Sequence, residues 1–174
     1  NEKLFIMSIS MQNHGGYTTT YENFEENYYK TGRSYTDANQ YFSLIRESDA
    51  ALEELVTYFS QVEEPVEIVF FGDHQPSLNK KFYKLMNGKG LSGLTLEELE
   101  NLYTVPFFIW TNYDTPEETV EITSLNYLST MMLERSGMEL PPYYQFMQDL
   151  REVVPAINAR GYYSLEKNRY LHVE

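Results

Sequence analysis

Two short apolar runs, each stopped by a polar turn that carries a histidine, constrain the fold of this chain more than any other feature. The first is Leu4-Phe5-Ile6-Met7-Ser8-Ile9-Ser10, stopped by Gln12-Asn13-His14-Gly15-Gly16-Tyr17. The second is Val66-Glu67-Ile68-Val69-Phe70-Phe71, stopped by Gly72-Asp73-His74-Gln75-Pro76. Nearly continuous apolar runs of this length read as strands buried on both faces, as in a parallel sheet. Residues 17–36 show no period and read as a loop. Asp37 then reads as a helix N-cap. Ala38, Tyr41, Phe42, Ile45, Leu52, Leu55, Val56 and Phe59 follow at helical spacing, which predicts a helix to about Ser60. Asp49 falls on that apolar face, where a carboxylate needs hydrogen bonds or a cation; the plain reading is that it pins a neighbouring loop. Strand, helix and strand make a βαβ unit with parallel strands and a right-handed crossover.

The rest of the chain fits the same class. Glu63-Glu64-Pro65 ends the helix. Asn87 to Gly93 is a flexible turn. Thr95, with Glu98 three residues later, has the pattern of a capping box opening a short helix to Leu102. Val105-Pro106-Phe107-Phe108-Ile109-Trp110 reads as a third strand. A helix is predicted from Ser124 to Arg135, ended by Gly137, and another from Pro141-Pro142 to about Val154. The remainder is Tyr-rich and poorly periodic. The expected architecture is a single α/β domain over residues 1–174, a mostly parallel sheet flanked by helices.

Composition removes several functions. With 174 residues the chain can bury about 70% of its unfolded surface, so it needs no disulfide or metal to fold. It has no Cys, which excludes thiol catalysis and Cys-ligated zinc. Its 13 Lys and Arg against 26 Asp and Glu leave a net charge of −13, which argues against a nucleic-acid partner. Glu63-Glu64, Glu97-Glu98-Glu100 and Glu117-Glu118 read as solvated acidic faces. No apolar run approaches the length of a membrane span. The apolar run begins at Leu4 with no lead-in, which predicts that the chain is a piece of a longer protein.

Only three His occur, so their placement is informative. If the first two strands are parallel, His14 and the Asp73-His74 pair lie beyond carboxyl ends on one edge of the sheet, where open α/β folds bind ligands. A carboxylate and an imidazole suit Mn²⁺ or Zn²⁺ better than Ca²⁺. Gly72 would let the backbone turn sharply. An ordinary βα turn, with Asp73 capping and His74 solvated, accounts equally well for the Gly-Asp-His sequence. His14 can be a further ligand, a general acid/base, a donor to an anionic substrate, or part of a plain surface loop. Asn13 and the backbone N–H groups of Gly15 and Gly16 suit an anion. His172 reads as a surface or packing residue, and the Tyr28-Tyr29, Tyr143-Tyr144 and Tyr162-Tyr163 pairs as core or interface residues that could also stack on sugars.

The segment from Phe5 to Tyr17 resembles the strand and His-containing turn of sulfatase-fold phosphoglycerol transferases, the lipoteichoic-acid-synthase type within the alkaline phosphatase and sulfatase superfamily. Val69-Phe70-Phe71-Gly72-Asp73-His74-Gln75 resembles that superfamily's metal-binding Gly-Asp-His motif. Val105 to Ile109, and Thr123 to Gly137, are similar to later segments in the right order. The resemblance implies the carboxyl-terminal portion of an alkaline-phosphatase/sulfatase-like sandwich. It implies one Mn²⁺ or similar dication held in part by Asp73 and His74, and His14 as the side chain that contacts the phosphate. It also implies transfer or hydrolysis of phosphoglycerol, or another phosphate or sulfate ester, on the extracellular face of a bacterial membrane, with a glycerophospholipid as one substrate.

The family's Thr nucleophile and further ligands lie in a segment upstream of the one matching Leu4. No catalytic residue is therefore assigned in this chain, and Thr18, Thr19 and Thr20 are not substitutes. The upstream half of the same domain is then the expected partner, and this chain alone is expected to be inactive and to bind metal weakly. Gln75 stands where the family often has Gly. A non-catalytic module that binds cell-wall glycans is the alternative.

Overall fold

The computed structural model describes residues 3–19, 21–28 and 35–173; Asn1, Glu2, Thr20, Tyr29 and the 29–34 part of the expected loop lie outside that set. The chain forms two compact units, Asn1–Tyr58 with Pro76–Leu91, and Phe59–Gln75 with Ser92–Glu174.

The first unit is built on α1 (Thr36–Phe59) and α2 (Lys80–Asn87). Its apolar centre is Tyr17, Ala38, Leu78 and Phe82, with Tyr35, Tyr41, Phe42, Leu44 and Tyr83 packed against it. The rings meet edge to face, with centroids 5.4 Å apart for Tyr17–Tyr41 and 5.5 Å for Tyr35–Phe82, the geometry that ring quadrupoles favour. α1 begins one residue before Asp37, so Asp37 sits in its first turn and is not its N-cap. Its Oδ2 instead accepts the Asn79 N–H at 2.6 Å, while the Asn79 side chain caps α2 by accepting from Lys81 N at 2.9 Å.

The apolar periodicity of α1 marks the core only at its first half, where Ala38 is buried and Tyr41 and Phe42 pack against the apolar centre, and polar side chains are buried beside them. Asn39, Gln40 and Ser43 are buried, whereas Asp49 is exposed and Ile45 and Leu55 are 39% and 43% exposed. The cause is polar. Ser43 Oγ accepts from Asn27 N at 3.1 Å and Tyr28 N at 3.0 Å and donates to Asn39 O at 2.9 Å. Gln40 Nε2 donates to Thr19 O at 2.9 Å. A loop laid along a helix buries backbone groups that must be hydrogen-bonded, so it selects the polar stripe and leaves Asp49 in water.

In the second unit β1 (Glu67–Phe71) pairs with β2 (Phe107–Thr111), with Val69 opposite Ile109. Phe70 and Phe108 stack across the ladder at 5.4 Å. Asn112, just past β2, ties the end of α1 to the start of β1. Its Oδ1 accepts from Val66 N at 2.7 Å, and its Nδ2 donates to the carbonyls of Phe59, Val62 and Glu64 at 3.2, 2.9 and 2.9 Å. α3 (Leu96–Glu100) opens with the expected capping box of Thr95 and Glu98. α4 (Leu128–Arg135) and α5 (Pro142–Val153) follow, and Gly137 takes the left-handed conformation, φ +67°, just past α4. The Tyr-rich end forms an unexpected hairpin, β3 (Gly161–Ser164) with β4 (Arg169–His172). Glu100 departs from the solvated face read for its cluster. It is buried, and its Oε2 accepts from Asn158 Nδ2 beside the hairpin.

Helices and small sheets place the chain in the α/β class, as expected. The strand pairing differs. Among the described residues both sheets are two-stranded and antiparallel, and Leu4–Ser10 is not a strand. Leu4, Phe5, Ile6, Met7, Ile9 and Met11 stand 65–83% exposed. An apolar run becomes a buried strand only where neighbouring strands satisfy its backbone and layers cover both faces, and the described residues supply neither to it. The parallel βαβ unit is therefore absent from this set.

Candidate functional site

β1 delivers the Gly-Asp-His turn. Gly72 N donates to Pro106 O at 3.0 Å, so the turn leaves the sheet against the start of β2. Gly72 is required for closeness rather than for a sharp turn. Its φ is not positive, but a Cβ there would meet Val105 Cβ at 3.2 Å and Cγ1 at 3.4 Å.

Beyond Gly72 the side chains face water. Asp73 Oδ1 accepts the His74 N–H at 2.8 Å, and Asp73 Oδ2 lies 3.5 Å from His74 Nε2, with side-chain exposures of 80% and 68%. His74 Nδ1 lies 2.9 Å from Gln75 O. A carbonyl oxygen can only accept, so this contact is a hydrogen bond in the tautomer whose Nδ1 carries the hydrogen, and in that tautomer neutral His74 presents an Nε2 lone pair. That is the second-shell pattern of metal-binding histidines. Two ligands at about 2.1 Å from a tetrahedral centre are about 3.4 Å apart, so Asp73 Oδ2 and His74 Nε2 fit one dication between them. Among the described residues no group of three or more His, Cys, Asp or Glu converges on such a point. Asp73 and His74 could therefore supply two donors, and the described residues bring no third to them.

His14 and Asn13 belong to the first unit. The turn from Met11 to His14 closes with His14 N donating to Met11 O at 3.1 Å, and the His14 side chain is exposed. Asn13 is tied down: its Nδ2 donates to Ser48 Oγ at 2.8 Å, and its backbone oxygen accepts from the buried Tyr17 hydroxyl at 2.7 Å. Its Oδ1 is buried without a partner. Gly16, at φ +109°, makes the exit from this turn, a conformation L side chains rarely adopt. The structure brings Asp73 and His74 together. The argument that set His14 beside them required Leu4–Ser10 to be a strand parallel to β1, and among the described residues Leu4–Ser10 is not a strand. His172 is exposed, as expected.

Two features were not legible in the sequence. The Gln75 side chain donates from Nε2 to Thr104 O; only tertiary proximity reveals it. A cavity of about 520 Å³ is lined by β2, the 115–120 segment, α4 and α5, and includes Arg135, Arg151 and Glu134. Arg151 Nη2 pairs with Glu134 Oε2 at 3.0 Å. No motif announces that cavity, because its residues come from four separated segments.

The sulfatase family model matches residues 1–138. The chain belongs to the sulfatase family. This sulfatase-family chain is 24% identical over 154 residues to a Rhizobium meliloti (strain 1021) protein named for cyclic beta-1,2-glucan modification, covering 84% of the chain and 24% of that relative. It is 31% identical over 77 residues to the capsular polysaccharide biosynthesis protein RkpI of the same organism, covering 44% of the chain and 13% of RkpI. The chain thus spans about a quarter or less of the curated relatives it matches. Among solved structures it is similar to the Streptococcus pyogenes phosphoglycerol transferase GacH in complex with sn-glycerol-1-phosphate. That match has a TM-score of 0.63 and 22% identity over 85% of this chain and 36% of GacH. The likeness establishes a partial sulfatase-type fold. No helix among the described residues is long and apolar enough to cross a membrane.

Proposed function

We propose that this sulfatase-family chain is part of an enzyme that transfers or hydrolyses a phosphate or sulfate ester, phosphoglycerol foremost. Asp73 and His74 contribute two ligands to a dication, Mn²⁺ or one like it. The observation that carries this reading is the 3.5 Å separation of Asp73 Oδ2 and His74 Nε2, with Nδ1–H held by a carbonyl. Such an ion, when bound, neutralises charge at phosphorus or sulfur and activates the nucleophile. Within an acidic chain it also makes the site locally cationic, which suits an anionic ester.

His14 is the proposed donor to the ester's anionic oxygens, and Asn13, held by Ser48 and Tyr17, positions the turn that presents it. The nucleophile and the remaining ligands are assigned to the intact protein outside this chain, in the upstream half of the same catalytic domain. The proposed site of action is the extracellular face of the bacterial membrane. The names of the two relatives, glucan modification and capsular polysaccharide biosynthesis, support a carbohydrate as the group's acceptor.

Calorimetric titration of the full chain with Mn²⁺ tests the reading. Weak saturable binding, abolished by Asp73→Ala, is expected. Absence of binding, or binding indifferent to Asp73→Ala, overturns the metal assignment. Turnover of a chromogenic phosphodiester by this chain alone would contradict the missing nucleophile. Glycan binding that persists unchanged in Asp73→Ala and His14→Ala would favour a non-catalytic glycan-binding module.

A further inference from the structure

We propose that Gln75 is a positioning residue for His74: its side chain sets the tautomer and direction in which the imidazole is presented. The inference rests on the metal reading for its purpose but not for its geometry.

Three contacts form a closed chain. Gln75 Nε2 donates to the carbonyl of Thr104, just before β2. This fixes the Gln75 main chain against the sheet. The Gln75 carbonyl in turn lies 2.9 Å from His74 Nδ1, and Gly72 N donates to Pro106 O at 3.0 Å on the other side of the turn. The Asp73-His74 turn is thus held at both ends, by backbone at Gly72 and by a side chain at Gln75. Both anchors are carbonyls of the segment entering β2.

The imidazole itself is mostly in water, so packing does not orient it. An exposed imidazole takes the tautomer its hydrogen bonds dictate; the Gln75 carbonyl, 2.9 Å from Nδ1, is a nearer acceptor than Asp73 Oδ2, 3.5 Å from Nε2. A glycine at position 75 would supply the carbonyl without the anchor. Gln75 supplies both, which gives a physical role to a residue that departs from the usual family pattern.

The test uses the full chain, with nitrogen-15 NMR of the His74 ring in the absence of metal and at a pH where the ring is neutral. Wild type should show the Nδ1–H tautomer as the dominant form. Gln75→Ala should give a mixture, and its Mn²⁺ affinity by calorimetry should fall about tenfold, the lower end of what second-shell losses cost. Gln75→Glu keeps the shape but cannot donate to a carbonyl when ionised. It should lose the tautomer preference too, and it serves if the Ala variant does not fold. Gln75→Lys restores a donor on a long stem and should recover the wild-type ring signature.

A tautomer ratio unchanged in both Gln75→Ala and Gln75→Glu overturns the proposal. If no form of the chain binds Mn²⁺, the metal reading fails, while the ring signature still decides the role of Gln75.

Discussion

Replacing Asn112 by Ala should destabilise the second unit by more than any exposed site would suggest. Its amide makes four contacts, accepting from Val66 N and donating to the carbonyls of Phe59, Val62 and Glu64. Two N–H groups serve three carbonyls, so the side chain contributes about three full hydrogen bonds. At about 1 kcal/mol each, reduced because the site is only part-buried and water can replace some of them, the loss is about 2–3 kcal/mol. The readout is available in the sequence: Trp110, the sole tryptophan, lies in β2 two residues before Asn112. Urea unfolding followed by its fluorescence should show a lower midpoint with an unchanged slope. Asn112→Asp sharpens the test. It keeps the acceptor, loses both donors and sets a carboxylate against three carbonyl oxygens. It should be worse than Ala at neutral pH and recover as the carboxylate protonates. A loss below about 0.5 kcal/mol for Asn112→Ala, or an Asp variant more stable than Ala, would refute the reasoning.

Other predictions follow from the same contacts. Ser43→Ala leaves the N–H groups of Asn27 and Tyr28 without their acceptor and should cost about 1–3 kcal/mol in thermal or urea unfolding. A Cβ at Gly161 would lie 2.7 Å from Leu171 O across the hairpin. Gly161→Ala should therefore speed hydrogen exchange of the β3 and β4 amides, and unchanged protection would show that the hairpin can yield. Burial is the main influence on Glu67 and raises its pKa above the ordinary 4.5, with hydrogen bonds from Ser136 and Tyr113 and the charge of Arg135 opposing it. A raised folded-state pKa gives stability that is present below the unfolded value and is lost as pH rises through the folded one. Glu67→Gln should therefore gain in urea midpoint relative to wild type as pH rises above about 4.5, the ordinary value. A difference independent of pH would remove Glu67 as its source.

The elements legible in the sequence are those set by local chemistry. The Thr95–Glu98 capping box, the Gly137 stop, the Pro142 start of α5 and the β1 and β2 runs each depend on residues within a turn or two of one another, and all appear. The Gly-Asp-His turn was legible for the same reason, because three adjacent residues form it. What failed depends on partners distant in sequence. The apolar face of α1 is buried at Ala38, Tyr41 and Phe42 but not at Ile45 or Leu55, and the loop that also buries its polar stripe could not be read from the helix alone. Glu100 was misread because Asn158 and the hairpin cover it, and the hairpin itself has too weak an alternation to stand out among tyrosines.

The sequence by itself therefore determined the class of fold, the family and the Gly-Asp-His turn that sets Asp73 and His74 side by side, because periodicity, caps and short motifs are local. Tertiary structure alone decided that β1 pairs antiparallel with β2, that Leu4–Ser10 stays uncovered, and that Gln75 reaches back to Thr104 to hold His74. The first and last are hydrogen-bond partnerships across tens of residues, and the second is their absence among the described residues. A backbone donor or carbonyl carries no side-chain signature to say in advance which partner it will meet.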